Sequence, residues 1–132
     1  MNRDRLLIIL FSLILYSCSR DEVKPLYDDP IIGIWTFSDY LENKEVYMRS
    51  ESFIDNHCYN FKPDGTLIER KNSGFCGTPP INYENYNGTW ASVNDTVILI
   101  NVGYWGGTTS YYLDIETINA EKLELIFVPG SQ

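Results

Sequence analysis

From residue 31 onward, apolar and polar positions alternate in short runs, turn residues recur every ten or so positions, and no long stretch repeats with a 3.6-residue period. That pattern predicts an all-β domain. Strands are expected near 33–40, 44–50, 57–62, 66–71, 86–93, 96–102, 108–116 and 121–128. Between the third and fourth, "KPDGT" places Pro63 where a fixed φ is wanted and Gly65 where φ is positive, the chemistry of a hairpin turn. Between the fifth and sixth, Asn94-Asp95 suits a two-residue loop, since both residues tolerate the left-handed conformation. That loop would pair Trp90 with Leu99 and Ser92 with Val97 on one face, leaving Ala91, Val93, Ile98 and Ile100 on the other. The last two strands alternate cleanly: Tyr111, Leu113, Ile115 and Leu123, Leu125, Phe127 share one parity, while Asp114, Glu116 and Glu124 take the other. Eight sequential strands with mostly short connections close most simply into a single antiparallel up-and-down barrel, which leaves no free edge.

Ahead of this domain the pattern is different. Arg3 and Arg5 precede an apolar run from Leu6 to Leu15 broken only by Ser12, the layout of a secretory signal peptide and too short for a permanent span of about 20 residues. Leu15-Tyr16-Ser17-Cys18 resembles the bacterial lipobox, with an aliphatic residue three before the cysteine and a small one just before it. The resemblance implies that residues 1–17 are a lipoprotein signal peptide and that Cys18 is acylated, palmitate being a usual chain, and becomes the first mature residue. A signal peptide with an incidental cysteine is the alternative. Residues 18–30 are polar, hold two prolines and lack periodicity, so they read as a tether, followed by the barrel over 31–132. Asp21 and Glu22 resemble a signal that sends some Gram-negative lipoproteins to the cell surface; a solvated linker explains them equally well.

The whole chain carries a formal charge of −8, and loss of the first 17 residues removes two basic and one acidic side chain, leaving −9. A nucleic-acid partner is therefore not expected. With Cys18 assigned to the anchor, Cys58 and Cys76 form an even pair in an exported setting, for which a disulfide is the default. Its loop would stabilise the fold by about 3 kcal/mol on the chain-entropy account. A metal site using His57 is the competing idea, but His57 and Cys58 are neighbours on a strand and should face opposite ways.

Gly33-Ile34-Trp35 resembles the Gly-x-Trp opening of lipocalins, and "FKPDGTL", "NGTW" and "LELIF" follow in the order seen in small bacterial lipocalin-like lipoproteins. Cysteines flanking the "FKPDGTL" hairpin are similar to that family as well. The resemblance spans about 31 to 128, and it implies a barrel with an apolar interior, a structural Trp35 across the closed end, and no reaction. The residues agree on the last point. His57 is the only histidine, the acidic pairs Asp21-Glu22 and Asp28-Asp29 lie in the tether, and no phosphate loop or dinucleotide fingerprint is present, so neither catalysis nor a cofactor or metal is expected.

Two binding classes stay open. In one, a small hydrophobic ligand occupies the barrel, lined by Phe37, Tyr59, Phe61 and Trp90 from the first five strands and by Tyr111, Leu113 and Leu125 from the last two, unless these side chains simply fill it. In the other, aromatic loops in "INYENYNGTW" and "VGYWGGTTSYY" meet a glycan or protein partner, with Tyr104 and Trp105 beside Gly106-Gly107 at a loop tip. Asp95-Thr96-Val97 also resembles an acceptor for bacterial O-glycosylation at Thr96, whereas the Asn-x-Thr sequons at Asn87 and Asn94 carry little meaning in a bacterial protein.

Overall fold

Side chains alternate between a packed inside and a wetter outside along eight strands in the computed structural model, which describes residues 29–131. The strands are β1 Gly33–Leu41, β2 Lys44–Ser50, β3 Cys58–Phe61, β4 Thr66–Asn72, β5 Tyr83–Ser92, β6 Val97–Tyr104, β7 Gly107–Ile118 and β8 Lys122–Pro129. They form a closed antiparallel barrel in the order β1-β2-β8-β7-β6-β5-β4-β3, and β3 returns to β1. The all-β, eight-stranded closed architecture read from the pattern is the one observed. The signal peptide, Cys18 and the tether through residue 28 lie outside the described residues.

The strand order corrects the expected plain up-and-down course at one place. β1 lies between β2 and β3, so β2 rather than β1 pairs with β8. The connection after β2 explains this. β2 ends at Ser50 beside Ile34, and the seven residues before β3 pass over the outside of β1 to begin β3 opposite Thr36. Phe37 N donates to His57 O at 2.8 Å, and Asn56 Nδ2 donates to Phe37 O at 3.0 Å, which pins the crossover to the strand beneath it.

A second correction concerns the β5–β6 hairpin. Trp90 pairs with Ile100 and Ser92 with Ile98, one step from the expected register, because the loop runs over 93–96 rather than through two residues. Asn94 causes the difference: its Oδ1 accepts from both Thr96 N and Val97 N at 2.9 Å, and Val93 N closes the loop onto Val97 O at 2.8 Å. Trp90, Ile98 and Ile100 therefore all face inward, with Ala91 and Leu99 outside. The "KPDGT" turn forms as read, with Gly65 at φ +83°.

The lumen is filled. Trp35, Tyr47, Tyr59, Phe61, Leu67 and Ile100 are fully buried, as are Leu113, Leu123 and Leu125. Each such side chain contributes about 1.5–3 kcal/mol by leaving water. One end is sealed by Trp35, whose Nε1 donates to Ile31 O at 2.8 Å. The Arg49 guanidinium lies 4.1 Å over the indole and donates to Ile32 O at 2.8 Å, Pro30 O at 2.9 Å and Ala120 O at 2.7 Å, tying the entering chain to the β7–β8 turn. Gly33, at φ +126°, passes directly under that guanidinium, where a Cβ would collide with it.

The expected Cys58–Cys76 disulfide is not formed, and both thiols are free. Cys58 faces outward but is covered by the crossover, with Sγ 3.4 Å from Thr36 Oγ1. Cys76 stands exposed in the β4–β5 loop beyond the open end, where Asn72 Nδ2 holds its carbonyl at 2.8 Å.

Candidate functional site

At the end opposite Trp35, inward-facing positions turn polar. β4 runs Leu67, Glu69, Lys71 on its inner face, so burial that suits a leucine one turn of the pleat deeper is imposed on a carboxylate. The crossover delivers His57 to the rim just before β3. Its ring points inward while Cys58 points out, as expected from their adjacency.

These side chains form one hydrogen-bonded cluster. Glu69, 4% exposed, receives His57 Nε2 on Oε1 at 2.8 Å, and Lys71 Nζ at 2.8 Å and Tyr111 OH at 2.9 Å on Oε2. Because Tyr111 gives its proton to Glu69, the 3.1 Å contact between the Tyr59 and Tyr111 hydroxyls has Tyr59 as donor. On the other side, His57 Nδ1 lies 2.9 Å from Tyr47 OH, which donates to Glu45 Oε2 at 2.7 Å. Among the described residues, no buried side-chain nitrogen or oxygen lacks a partner.

The electrostatics follow from this wiring. Burial pushes the Glu69 carboxyl upward, but the hydrogen bond and charge of His57, with Lys71 behind, outweigh it and hold the carboxyl below its ordinary range. The phenols of Tyr47, Tyr59 and Tyr111 are driven well above theirs, by burial first and then by a neighbouring phenol for Tyr47 and Tyr59 and by the Glu69 carboxylate for Tyr111. The cluster thus carries an ionised carboxylate among phenols that keep their protons.

Above it opens a cleft of about 380 Å³, lined by Glu45, His57, Tyr59, Glu69, Lys71, Thr109, Tyr111 and Phe127. Both ring nitrogens of His57 and both oxygens of Glu69 are engaged in hydrogen bonds. Lys71 uses one N–H on Glu69, and Glu45 Oε1 and the Thr109 hydroxyl add an acceptor and a further polar group. Among the described residues, no three His, Cys, Asp or Glu side chains are grouped to hold a metal ion.

Of the residues expected to line a ligand cavity, Tyr59 and Tyr111 reach this cleft. Phe61, Trp90, Leu113 and Leu125 lie deeper in the packed core, and Phe37 packs against it half-buried beside Tyr40 and Tyr47. Glu45, Glu69 and Lys71 were not singled out from the sequence, although the inward parity of Glu69 in "TLIERKN" was a readable sign. The aromatic stretches prove to be mostly strand: Tyr83 and Tyr86 belong to β5 and Tyr104 ends β6, leaving Trp105-Gly106 as the hairpin tip. Trp105 is 54% exposed and lies 5.8 Å, centroid to centroid, from Phe75, itself 85% exposed on the β4–β5 loop. Thr96 is exposed in the β5–β6 loop at the sealed end.

Comparison with protein-family models, with curated proteins and with solved structures finds no match to this chain, so the barrel and its polar mouth stand on their own geometry.

Proposed function

We propose that the protein is a lipid-anchored envelope lipoprotein, held at the outer membrane through Cys18, whose lipocalin-like barrel is a non-catalytic binding module that takes a small ligand at its open end. The observation that carries this reading is the cleft over the Glu69 cluster, which joins aromatic surface from Tyr59, Tyr111 and Phe127 to charged and hydroxyl groups from Lys71, Glu45 and Thr109. The filled lumen supports the mouth rather than the barrel interior as the place for such a ligand, and one with both polar and apolar surface. The Gly-x-Trp tryptophan at the sealed end supports the lipocalin likeness, while the position of β1 between β2 and β3 sets this barrel apart from a plain meander.

Ligand-observed NMR against a library of small polar aromatic fragments tests the mouth. Binders are expected for the wild type and should vanish in Thr109→Trp, which fills the cleft; fragments indifferent to that change would place binding elsewhere. Cys18→Ala should leave the chain unprocessed or release it from membranes, and a processed, membrane-bound mutant would refute the anchor. A second reading, in which the rim itself docks a macromolecule, is favoured by the exposed Phe75–Trp105 pair.

A further inference from the structure

The mouth cleft does not end at Phe127. A second depression of about 400 Å³ begins there, sharing Thr109, Tyr111 and Phe127 with the first and continuing past Tyr104 and Ser110 to Gly130. The two adjoin across Thr109, Tyr111 and Phe127, at the rim between the start of β7 and the end of β8.

The chemistry changes along it. The inner part is rich in charged and ionisable groups, with the Glu45 and Glu69 carboxylates beside Lys71 and the His57 ring. Among the described residues the walls of the outer part hold no carboxylate, lysine or arginine side chain; they offer the hydroxyls of Tyr104 and Thr108, the Ser110 oxygen, whose proton goes to Asn101 Oδ1, and backbone near Gly130. At the junction the Phe127 ring, 45% exposed, stands 4.9 Å from the Tyr111 ring. A hydrocarbon tail would strand these hydroxyls, and an acidic ligand would find no cation in the outer half. A molecule with an apolar face for Phe127 and hydroxyls along its edges satisfies both halves.

Resting on the reading that the open end is the binding site, we propose that the ligand is a neutral oligosaccharide of at least two sugar rings. One ring sits over the Glu69 cluster, the next lies in the outer groove, and the linkage crosses Phe127. Lys71, Glu45 and Thr109 meet the first ring's hydroxyls, and Phe127 packs against its C–H face.

The test titrates the full mature chain with gluco- and N-acetylgluco-oligosaccharides of one to four units, with palmitate and with an acidic oligosaccharide, by calorimetry. At least one neutral series should gain tenfold or more in affinity from one unit to two. Phe127→Ala should weaken that binding about tenfold in protein that is still folded, and Phe127→Tyr should restore it. Affinity independent of chain length, or binding of palmitate or the acidic sugar alone, overturns the saccharide proposal. If the sugars fail while fragments still bind in a manner abolished by Thr109→Trp, only this inference falls; if neither binds, the reading of the mouth falls with it.

Discussion

Tyr111 donates its phenolic proton to Glu69 at 2.9 Å, joining β7 to β4 through the barrel interior across 42 residues of chain. Neither strand is the other's sheet neighbour, so this bond and its companions hold the open end at a fixed width.

Glu69→Gln keeps the shape and removes the charge that His57 and Lys71 face. Breaking a buried ion pair is costly, and the partial access of Lys71 and His57 to water reduces the loss to about 2 kcal/mol. Urea denaturation at neutral pH measures it. Because the folded carboxyl sits below its ordinary value of 4.5, its contribution is present above that value and is lost as the pH falls through the lower, folded one. The gap between wild type and Glu69→Gln should therefore shrink in acid, and a gap constant down to strong acid would contradict an ionised Glu69.

At the alkaline side the sign reverses. Tyr47, Tyr59 and Tyr111 have folded values raised above the ordinary 10.0, so their stabilising contribution is complete below that pH and disappears as pH rises through the folded values. Absorbance at 295 nm should show these three of the chain's ten tyrosines ionising only as the barrel unfolds. Their titration ahead of unfolding would show that the cluster is wet.

Trp35 and Trp105 should respond oppositely to truncation. Trp35→Ala removes the seal of the closed end and should lower stability by about 3–5 kcal/mol. Trp105→Ala, at an exposed hairpin tip, should stay within about 0.5 kcal/mol of wild type. Equal denaturation shifts would place Trp105 in the core.

Thiol labelling separates the two barrel cysteines. Cys76 is exposed, and hydrogen bonds from Thr78 lower its thiol below the ordinary range, so the native protein should label there quickly. Cys58 should label only on unfolding. Cys18 aside, intact mass after alkylation reads one adduct in the native state and two when denatured; none in either would restore the disulfide.

Much of the barrel was legible because each strand's inner and outer sets follow a period of two, and "KPDGT" names its own turn. What escaped depended on single side chains acting over distance. Asn94 lengthened a loop by capping two backbone amides, and Asn56 fastened the crossover that moved β1 between β2 and β3. The polar mouth was hidden for a related reason. Glu69, His57 and Tyr111 come from three separated stretches, and only barrel closure makes their charges and hydroxyls neighbours. Arg49 likewise gains its meaning from three carbonyls of two distant segments.

The placement of β1 also dictates an order of assembly. β2 finds its second neighbour only in β8, with Tyr47 opposite Leu123, so the last strand of the chain completes the first hairpin. A chain emerging N-terminus first therefore holds β2 as an unpaired edge until nearly all of it has appeared, and an open edge is the template on which strands from other molecules add. Truncation within β8 should yield not a smaller barrel but a sticky one, and folding should be most vulnerable to aggregation in the interval before Leu123 and Leu125 arrive to close the seam.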